Sequence, residues 1–474
     1  MSRLRQLGKN TFLVFIGSFG SKLISFVMLP FYTRWLSTID YGVVDMIGVY
    51  QALLVGLITG AISDAIFVFP KNASYEKQKS YFTSGILFSF LTFTVSAFLF
   101  YLVKKGFEIG GGFNSFTQYT GWIYIMILFS FLQSFLQQFC RSVDKMYVFS
   151  IVGILLTLFT ALFSFLLVPN YGIEGYLTAI VISNAIVVIL TIVIARLDRY
   201  FSITSYSRAD LMIMLKYSVP LMPNALMWWL FGSLNRPVLE SYVGLAGIGV
   251  FAVAQKFPNL ASVVFNIFGN SWQISVLEEY GREGFEVFYN KIFALVTLFI
   301  AVGVLGLSFL ADWVVQITVG KEFYSAATYI PLLSVAMLFL CFSTIVTPVF
   351  SAVRISKYYF YSSVWSAIIS VVLNILLIPS IGIYGAVISL LCSHLLMAVI
   401  RIYFSMHYVA IYYLWVYVVL AIIVLFNSII CTVGNAILVR FLTFIFSIVL
   451  IGFLFIFLNK KMCICSSLSS LKWR

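Results

Sequence analysis

Charged residues are scarce in this chain: Asp, Glu, Lys and Arg make up 9% of its 474 residues, against roughly 25% in soluble globular domains. A soluble globular fold is thereby excluded. Histidine is scarcer still, with two in the whole sequence, and the six cysteines are Cys140, Cys341, Cys392, Cys431, Cys463 and Cys465. So few ligands make no metal cluster. Cys463 and Cys465 flank one residue, which suits a lipidated or metal-binding tail as well as a plain juxtamembrane segment. Acidic residues number 16 against 29 Lys and Arg, a formal net charge of +13. The basic excess is spread over loop after loop and forms no basic face, so no nucleic-acid partner is expected.

What fills the sequence instead is apolar: 62% of residues are hydrophobic and the mean hydropathy is +1.06. Runs long enough to cross a bilayer, about 20 residues each, fall at 11–36, 41–69, 80–103, 117–139, 147–168, 175–196, 213–241, 247–275, 289–311, 328–350, 358–379, 383–404, 411–431 and 438–458. The expectation is an all-α integral membrane protein with about fourteen transmembrane helices joined by short loops. Arg3, Arg5 and Lys9 ahead of an apolar run resemble a secretion signal. The run continues to Trp35 without a clear small-residue cleavage site, so it is read as the first helix. Lys and Arg near span ends stay on the cytoplasmic side. With the N-terminus inside, 21 of the 29 lie in cytoplasmic segments, Arg401 among them; five (Arg34, Lys104, Lys105, Lys321, Arg440) lie outside and three (Lys22, Arg236, Lys256) within spans. Both termini are therefore expected in the cytoplasm.

The segment Leu166-Leu167-Val168-Pro169-Asn170-Tyr171-Gly172-Ile173-Glu174-Gly175 returns 210 residues later as Leu376-Leu377-Ile378-Pro379-Ser380-Ile381-Gly382-Ile383-Tyr384-Gly385. Near the front of each half, Trp35 to Gly42 aligns with Tyr242 to Gly249 at an offset of 207. Two landmarks at nearly one offset indicate a duplicated bundle. Six helices in each half is an even number, so the copies share one orientation and form a parallel repeat. The expected division is an N-lobe at 1–206, a C-lobe at 207–410, and two extra helices with a cytoplasmic tail at 411–474.

On the eighth span, Gln255, Asn259, Ser262, Asn266, Asn270 and Gln273 recur at helical spacing with Lys256 beside them. Amides left facing lipid are unfavourable, so this face looks into water or another helix. The equivalent positions on the second span are Gly48, Ala52, Val55, Thr59 and Ser63, a mostly small face that suits either a shared cavity or close helix packing.

No group of residues forms an enzyme site, and no catalytic residue is assigned. Gly17-Ser18-Phe19-Gly20-Ser21-Lys22 lacks the spacing of a phosphate-binding loop and lies within a span. A Lys or Arg at the bilayer centre costs about 2.5–3.5 kcal/mol on insertion scales and is kept with a partner or a wet cavity. Lys22, on one face with Ser18 and Ser25, either lines a cavity or pairs with Asp45 or Asp64, and Lys256 poses a similar choice. Arg236, just before Pro237, suits Glu240 at i+4 as well as a ligand. Arg34 reads as an interfacial anchor. Asp64 suits proton or sodium coupling, or a salt bridge or helix-end role. Glu278, Glu279, Glu283 and Glu286 around Arg282 read as a solvated interfacial helix.

Asn10-Thr11-Phe12, Gly17, Lys22, Pro30, Tyr32-Thr33-Arg34-Trp35-Leu36 and Asp40-Tyr41-Gly42 together resemble the polysaccharide-unit flippases of the Wzx type. These belong to the multidrug, oligosaccharidyl-lipid and polysaccharide exporter superfamily. In that family a first helix has an Asn near its start and a Pro-x-Tyr-x-Arg-x-Leu run near its end, leading into an Asp-Tyr-Gly-like turn. The resemblance is specific over residues 10–45, with support from the Pro-x-x-Gly-Ile-x-Gly turns, and it extends to the architecture of two six-helix lobes plus two helices.

It implies a flippase that moves an undecaprenyl-diphosphate-linked oligosaccharide across the bacterial cytoplasmic membrane for O-antigen or capsule synthesis. Membrane lipids surround it, and a polysaccharide polymerase and a chain-length regulator are candidate partners. Lys22, Arg236 and Lys256 are the candidate diphosphate ligands, since Arg binds phosphate through its planar fork and Lys as a point charge. Asn259, Asn266 and Asn270 join them in lining the cavity. No cofactor beyond a coupling proton or sodium ion is implied. Related flippases carry basic residues on the first, second and eighth helices, whereas this second helix offers Asp45 and Asp64, which leaves the anionic site open. Rival readings are a multidrug cation antiporter of the same superfamily and a membrane-embedded polymerase or glycosyltransferase. An antiporter suits twelve helices and an acidic cavity, and a polymerase or glycosyltransferase suits a large external loop or catalytic carboxylates.

Overall fold

The computed structural model describes residues 20, 22–109, 115–355, 357–434 and 436–471. Asn10, Thr11, Phe12 and Gly17, and the early part of the first expected span, lie outside the described residues. Those described form helices and no strand, and they group into two compact units, Met1–Trp229 and Leu230–Arg474. Among them ten helices are long and apolar enough to cross a membrane, one of which covers two expected spans.

The first unit contains α1 (Leu29–Trp35), α2 (Thr38–Thr59), α3 (Ile62–Val68), α4 (Tyr75–Ile109), α5 (Thr120–Ser142), α6 (Met146–Ala195), α7 (Arg208–Ser218) and the start of α8 (Met222–Gly232). The Asp40-Tyr41-Gly42 turn proves to be a helix start. Ser37 Oγ accepts from the Asp40 amide and the Asp40 carboxylate accepts from the Ser37 amide, a reciprocal cap that satisfies two amides the helix cannot. The second expected span, 41–69, is not continuous. Gly60 and Ala61 both adopt left-handed torsions (φ 59° and 52°) and divide it into α2 and α3.

The expected fifth and sixth spans are joined in α6, a 50-residue element with a corner at Gly172 (φ 54°, ψ −131°). A Cβ built on Gly175 would lie 2.5 Å from the Leu167 carbonyl oxygen. Residues eight apart in a straight helix are about 12 Å apart, so the chain has doubled back. The corner therefore carries a helical hairpin with almost no loop. The second copy does the same: Gly382 has φ 57° and ψ −130°, and a Cβ on Gly385 would lie 2.5 Å from the Leu377 carbonyl carbon. The repeat inferred from ten residues of sequence is thus a repeat of backbone torsions.

Packing in the first unit is aromatic. Phe82 and Phe93 of α4 meet Phe139 and Phe131 of α5 at ring separations of 4.6 Å and 5.5 Å. Gly85 leaves room for Phe135, whose ring a Cβ would meet at 2.8 Å. The link to α7 is polar: the Asp210 carboxylate accepts from Lys77 Nζ at 2.8 Å and from Ser80 Oγ at 2.6 Å. Burial raises the Asp210 carboxyl, but these donors and Ser207 outweigh it and hold the group below its usual range.

The second unit holds α9 (Asn235–Tyr242), α10 (Leu245–Glu279), α11 (Phe285–Thr318), α12 (Ile330–Ala352), α13 (Lys357–Ile381), α14 (Ile383–Ser405), α15 (Leu414–Val433) and α16 (Ile437–Leu471). The seventh expected span, 213–241, is broken into α7, a 3-10 turn at Val219–Leu221, α8 and α9. Pro220, Pro223 and Pro237 each remove an amide donor from this stretch, which weakens a continuous ladder. Instead of forming its own interfacial helix, the acidic cluster occupies an exposed corner where α10 ends, Gly281 and Gly284 turn with positive φ, and α11 begins. The two extra helices pack on α11: Ser308 Oγ lies 3.1 Å from Ser428 Oγ, Arg440 pairs with Asp312, and Phe309 stacks on Phe444 at 4.9 Å.

Two outcomes follow. Gly385→Ala drives a methyl group into backbone and is expected to lower stability by about 1–3 kcal/mol, read as a lower Tm of the purified protein, whereas Gly452→Ala, where a Cβ meets nothing within 4 Å, leaves it unchanged. The Asp210 contribution is present above the ordinary carboxylate pKa of about 3.9 and is lost as pH falls through the lower folded value. Thermal unfolding between about pH 6 and pH 3 should therefore show a smaller pH-dependent decline for Asp210→Asn than for wild type, from a lower Tm at neutral pH.

Candidate functional site

The polar face expected on the eighth span falls on α10, and four of its side chains are described. Lys256, Asn259 and Gln273 are exposed and Gln255 is half-buried, while Phe257, Trp272 and Val276 on the other side are buried. The helix is fixed through that buried side: Trp272 donates its indole N–H to the Ile345 carbonyl at 2.8 Å. Asn266 and Asn270 lie on the same helix, with side chains outside the described residues, as does Ser262.

Arg236 on α9 is 8% exposed and reaches across to this face. Its Nη1 donates to the Gly232 carbonyl and to Asn235 Oδ1, both at 2.8 Å. Its Nη2 donates to Gln255 Oε1, and the guanidinium lies 5.0 Å from the Phe251 ring centroid. Arg236 thereby orients Gln255 at the head of the polar face. Beside Gln255 and Asn259 a small cavity of about 50 Å³ opens toward α12 and α14, with His394 on its far wall. His394 is 7% exposed, its Nδ1 is 2.9 Å from the Leu390 carbonyl oxygen and its ring meets Phe231 edge-on at 5.0 Å.

Two helical turns further along α14 is Arg401, only 3% exposed. The sequence count placed it among the cytoplasmic basic residues; the fold buries it. Its Nε donates to Ser362 Oγ at 3.0 Å, Nη1 to Thr347 Oγ1 at 2.9 Å and Nη2 to Ser363 Oγ at 3.2 Å. Its guanidinium lies 4.5 Å from the Tyr359 ring centroid. The signal for this site was present in the spacing. Ser362, Ser366, Ser370 and Asn374 recur every four residues on α13, and Ser389, Ser393, Arg401 and Ser405 follow the same period on α14. All are buried, as expected of two helices meeting through small polar faces.

In the first unit Lys22 is helical and exposed, and Asp64 is exposed in the first turn of α3. Gly48 and Ala52, which match Gln255 and Asn259 in the repeat, are exposed as well, and nothing lies within 4 Å of a Cβ built on Gly48. Close helix packing is therefore not what the small residue at 48 serves. The pairs Gly48 with Gln255 and Ala52 with Asn259 are small in one unit and polar in the other, while further along α2 Val55 is half-buried and Thr59 is buried. Among the described residues no group of three or more His, Cys, Asp and Glu could hold a metal ion.

These helices build a fold shared with a solved flippase and solved transporters. The chain is similar to the lipid II flippase MurJ in an inward closed conformation, with a TM-score of 0.67 and 14% identity over 94% of this chain and 97% of that one. It is also similar to an inward-facing multidrug resistance MATE family transporter, at 0.62 and 13% over 83% and 93%. A third likeness is to a superfamily transporter from Pyrococcus furiosus, at 0.57 and 14% over 84% and 94%. No curated protein matches the chain by sequence. The chain belongs to the polysaccharide biosynthesis protein family, whose profile matches residues 7–272, more than half its length.

Because Arg236 presents a planar fork to three acceptors, Lys cannot replace it in kind. Arg236→Lys is expected to lower Tm through lost bonds worth about 1.5–3 kcal/mol each at most, and Gln255→Leu to do so in the same direction; full stability in Arg236→Lys would show that the fork does not hold α9 to α10.

Proposed function

We propose that this chain flips an undecaprenyl-diphosphate-linked oligosaccharide from the inner to the outer leaflet of a bacterial cytoplasmic membrane, for O-antigen or capsule assembly. The observation that carries the reading is the exposed face of Gln255, Lys256, Asn259 and Gln273 on a helix otherwise set in apolar packing, within a polysaccharide biosynthesis family protein. The face has the two chemistries the cargo requires. A cation answers the diphosphate, and neutral amides answer sugar hydroxyls by donating and accepting together.

In this reading Lys256 and Lys22 hold the diphosphate, Arg236 keeps Gln255 in position, and Asn259, Asn266 and Asn270 contact the sugar. Asp64 is the candidate carrier of a coupling proton or sodium ion. The lobes at 1–206 and 207–410 rock about the segment between them to give alternating access, and the parallel repeat supports that motion. The task is transport, with no bond made or broken. Both termini face the cytoplasm, and a polymerase and a chain-length regulator act on the product outside.

The test is flipping of a fluorescent lipid-linked oligosaccharide in proteoliposomes, scored by access of a membrane-impermeant quencher. Lys256→Ala and Lys22→Ala should each slow flipping at least roughly tenfold, the equivalent of one charge-assisted bond, with Lys→Arg retaining more. Cationic dyes should not be carried. Unchanged flipping in both Ala variants would remove these lysines from the site, and dye transport without flipping would replace the proposal with the antiporter reading.

A further inference from the structure

A second polar cavity, of about 490 Å³, lies in the Leu230–Arg474 unit at the turn between α12 and α13. Gln273, Thr347, Ser351, Arg354 and Tyr359 supply its polar lining. Arg354 is exposed and holds a left-handed backbone (φ 58°), a conformation that non-glycine residues rarely adopt. Behind the cavity wall, Arg401 is bonded to Thr347 and set against the ring of Tyr359. The four described ion pairs involve neither arginine. Ser362 and Thr347, which accept from Arg401, pass their own hydroxyl protons to the Tyr359 and Ser343 carbonyls at 2.8 and 2.7 Å. The buried charge is solvated but not neutralised, and its field reaches the cavity through low-dielectric surroundings.

In the first unit the equivalent turn has the same backbone: Asp144 has φ 60°, and the Lys145 amide donates to the Cys140 carbonyl at 2.8 Å just as that of Ile355 donates to Phe350 at 2.9 Å. The cations sit at other positions on it. Ile66, Asp144 and Phe149 stand where the second unit has Gln273, Arg354 and Tyr359, and Arg141 and Lys145 stand where it has Ser351 and Ile355. Arg141 lies over the Phe67 and Phe149 rings and Lys145 donates to the Ala195 carbonyl, whereas Arg354 is exposed.

We propose that the cavity at the α12–α13 turn binds a phosphate group of a lipid head group, with Arg354 as its direct ligand and Arg401 as a buried positioning cation. Arg354 offers the planar fork that fits two phosphate oxygens. Gln273 Nε2, Ser351 Oγ and Tyr359 Oη add neutral donors, and the volume suits a phosphate or diphosphate with its first attached carbons. Phosphate chemistry is common to a polyprenyl diphosphate and to an ordinary anionic phospholipid. The site is separate from the face on α10 that the transport reading uses, apart from Gln273 at the end of that helix.

Full-length protein in phosphatidylcholine nanodiscs is titrated with inorganic diphosphate, with sulfate as the reference anion, and Tm is recorded. A parallel series places phosphatidylglycerol in the nanodiscs. Diphosphate protection points to a diphosphate lipid and phosphatidylglycerol protection to a bilayer lipid; either supports the site if Arg354→Gln weakens it at least tenfold and Lys321→Gln, an exposed cation elsewhere in the unit, does not. Tyr359→Phe, which keeps the ring over Arg401, should weaken it by a smaller factor. The proposal is overturned if neither ligand protects the wild type beyond sulfate, or if Arg354→Gln binds as wild type does. Flipping is assayed on the same variants in proteoliposomes, so the cavity can fail while the transport reading stands, and the reverse.

Discussion

A backbone amide or carbonyl in hydrocarbon has no water to turn to, and every feature of this fold answers to that. Helices satisfy their own ladders, so the chain stays helical even where it bends. Where the ladder breaks, another group covers the gap: Ser37 and Asp40 cap α2, and Ala61 donates back to the Gly56 carbonyl at the left-handed step. Buried hydroxyls obey the same demand. Ser366, Ser389 and Ser393 each return their proton to a carbonyl one turn earlier, at 2.7, 2.7 and 2.6 Å. That leaves their lone pairs free, and at Ser362 and Thr347 the lone pairs are what solvate a guanidinium.

Three arginines show how the protein keeps cations away from water. Arg236 uses amide and carbonyl oxygens with Phe251, Arg401 uses hydroxyls with Tyr359, and Arg141 lies over Phe67 and Phe149 at 4.6 and 5.1 Å. Arg440 instead takes the Asp312 carboxylate and ties α16 to α11. The distinction matters because a carboxylate cancels the charge, whereas hydroxyls and rings only make it tolerable. Carboxylate-paired cations build structure here, and the hydroxyl-solvated one leaves a positive field for an anion.

The sequence revealed what depends on bulk hydropathy or on repetition. The helical class, most spans, the duplicated corner and the polar face from Gln255 to Gln273 were all legible. The breaks were not, because hydropathy counts apolar side chains and is blind to torsion: nothing about Ala61 announces a left-handed residue. The seventh span carried its warning in Pro220, Pro223 and Pro237, which its hydrophobicity outweighed. The burial of Arg401 was hidden for a related reason. The sequence count assigned it a side of the membrane and no partners, and its hydroxyl partners come from α12 and α13, 39 and 54 residues away in sequence.

The corner at Gly172 bears on where the folded chain can be cut or extended. With the chain doubled back within a few residues, the two arms of α6 have almost no loop between them. The same holds at Gly382. Each half of the chain thus carries a pair of arms tied at one end in the folded protein, where the corner offers a protease no exposed tether and an inserted epitope no slack to occupy.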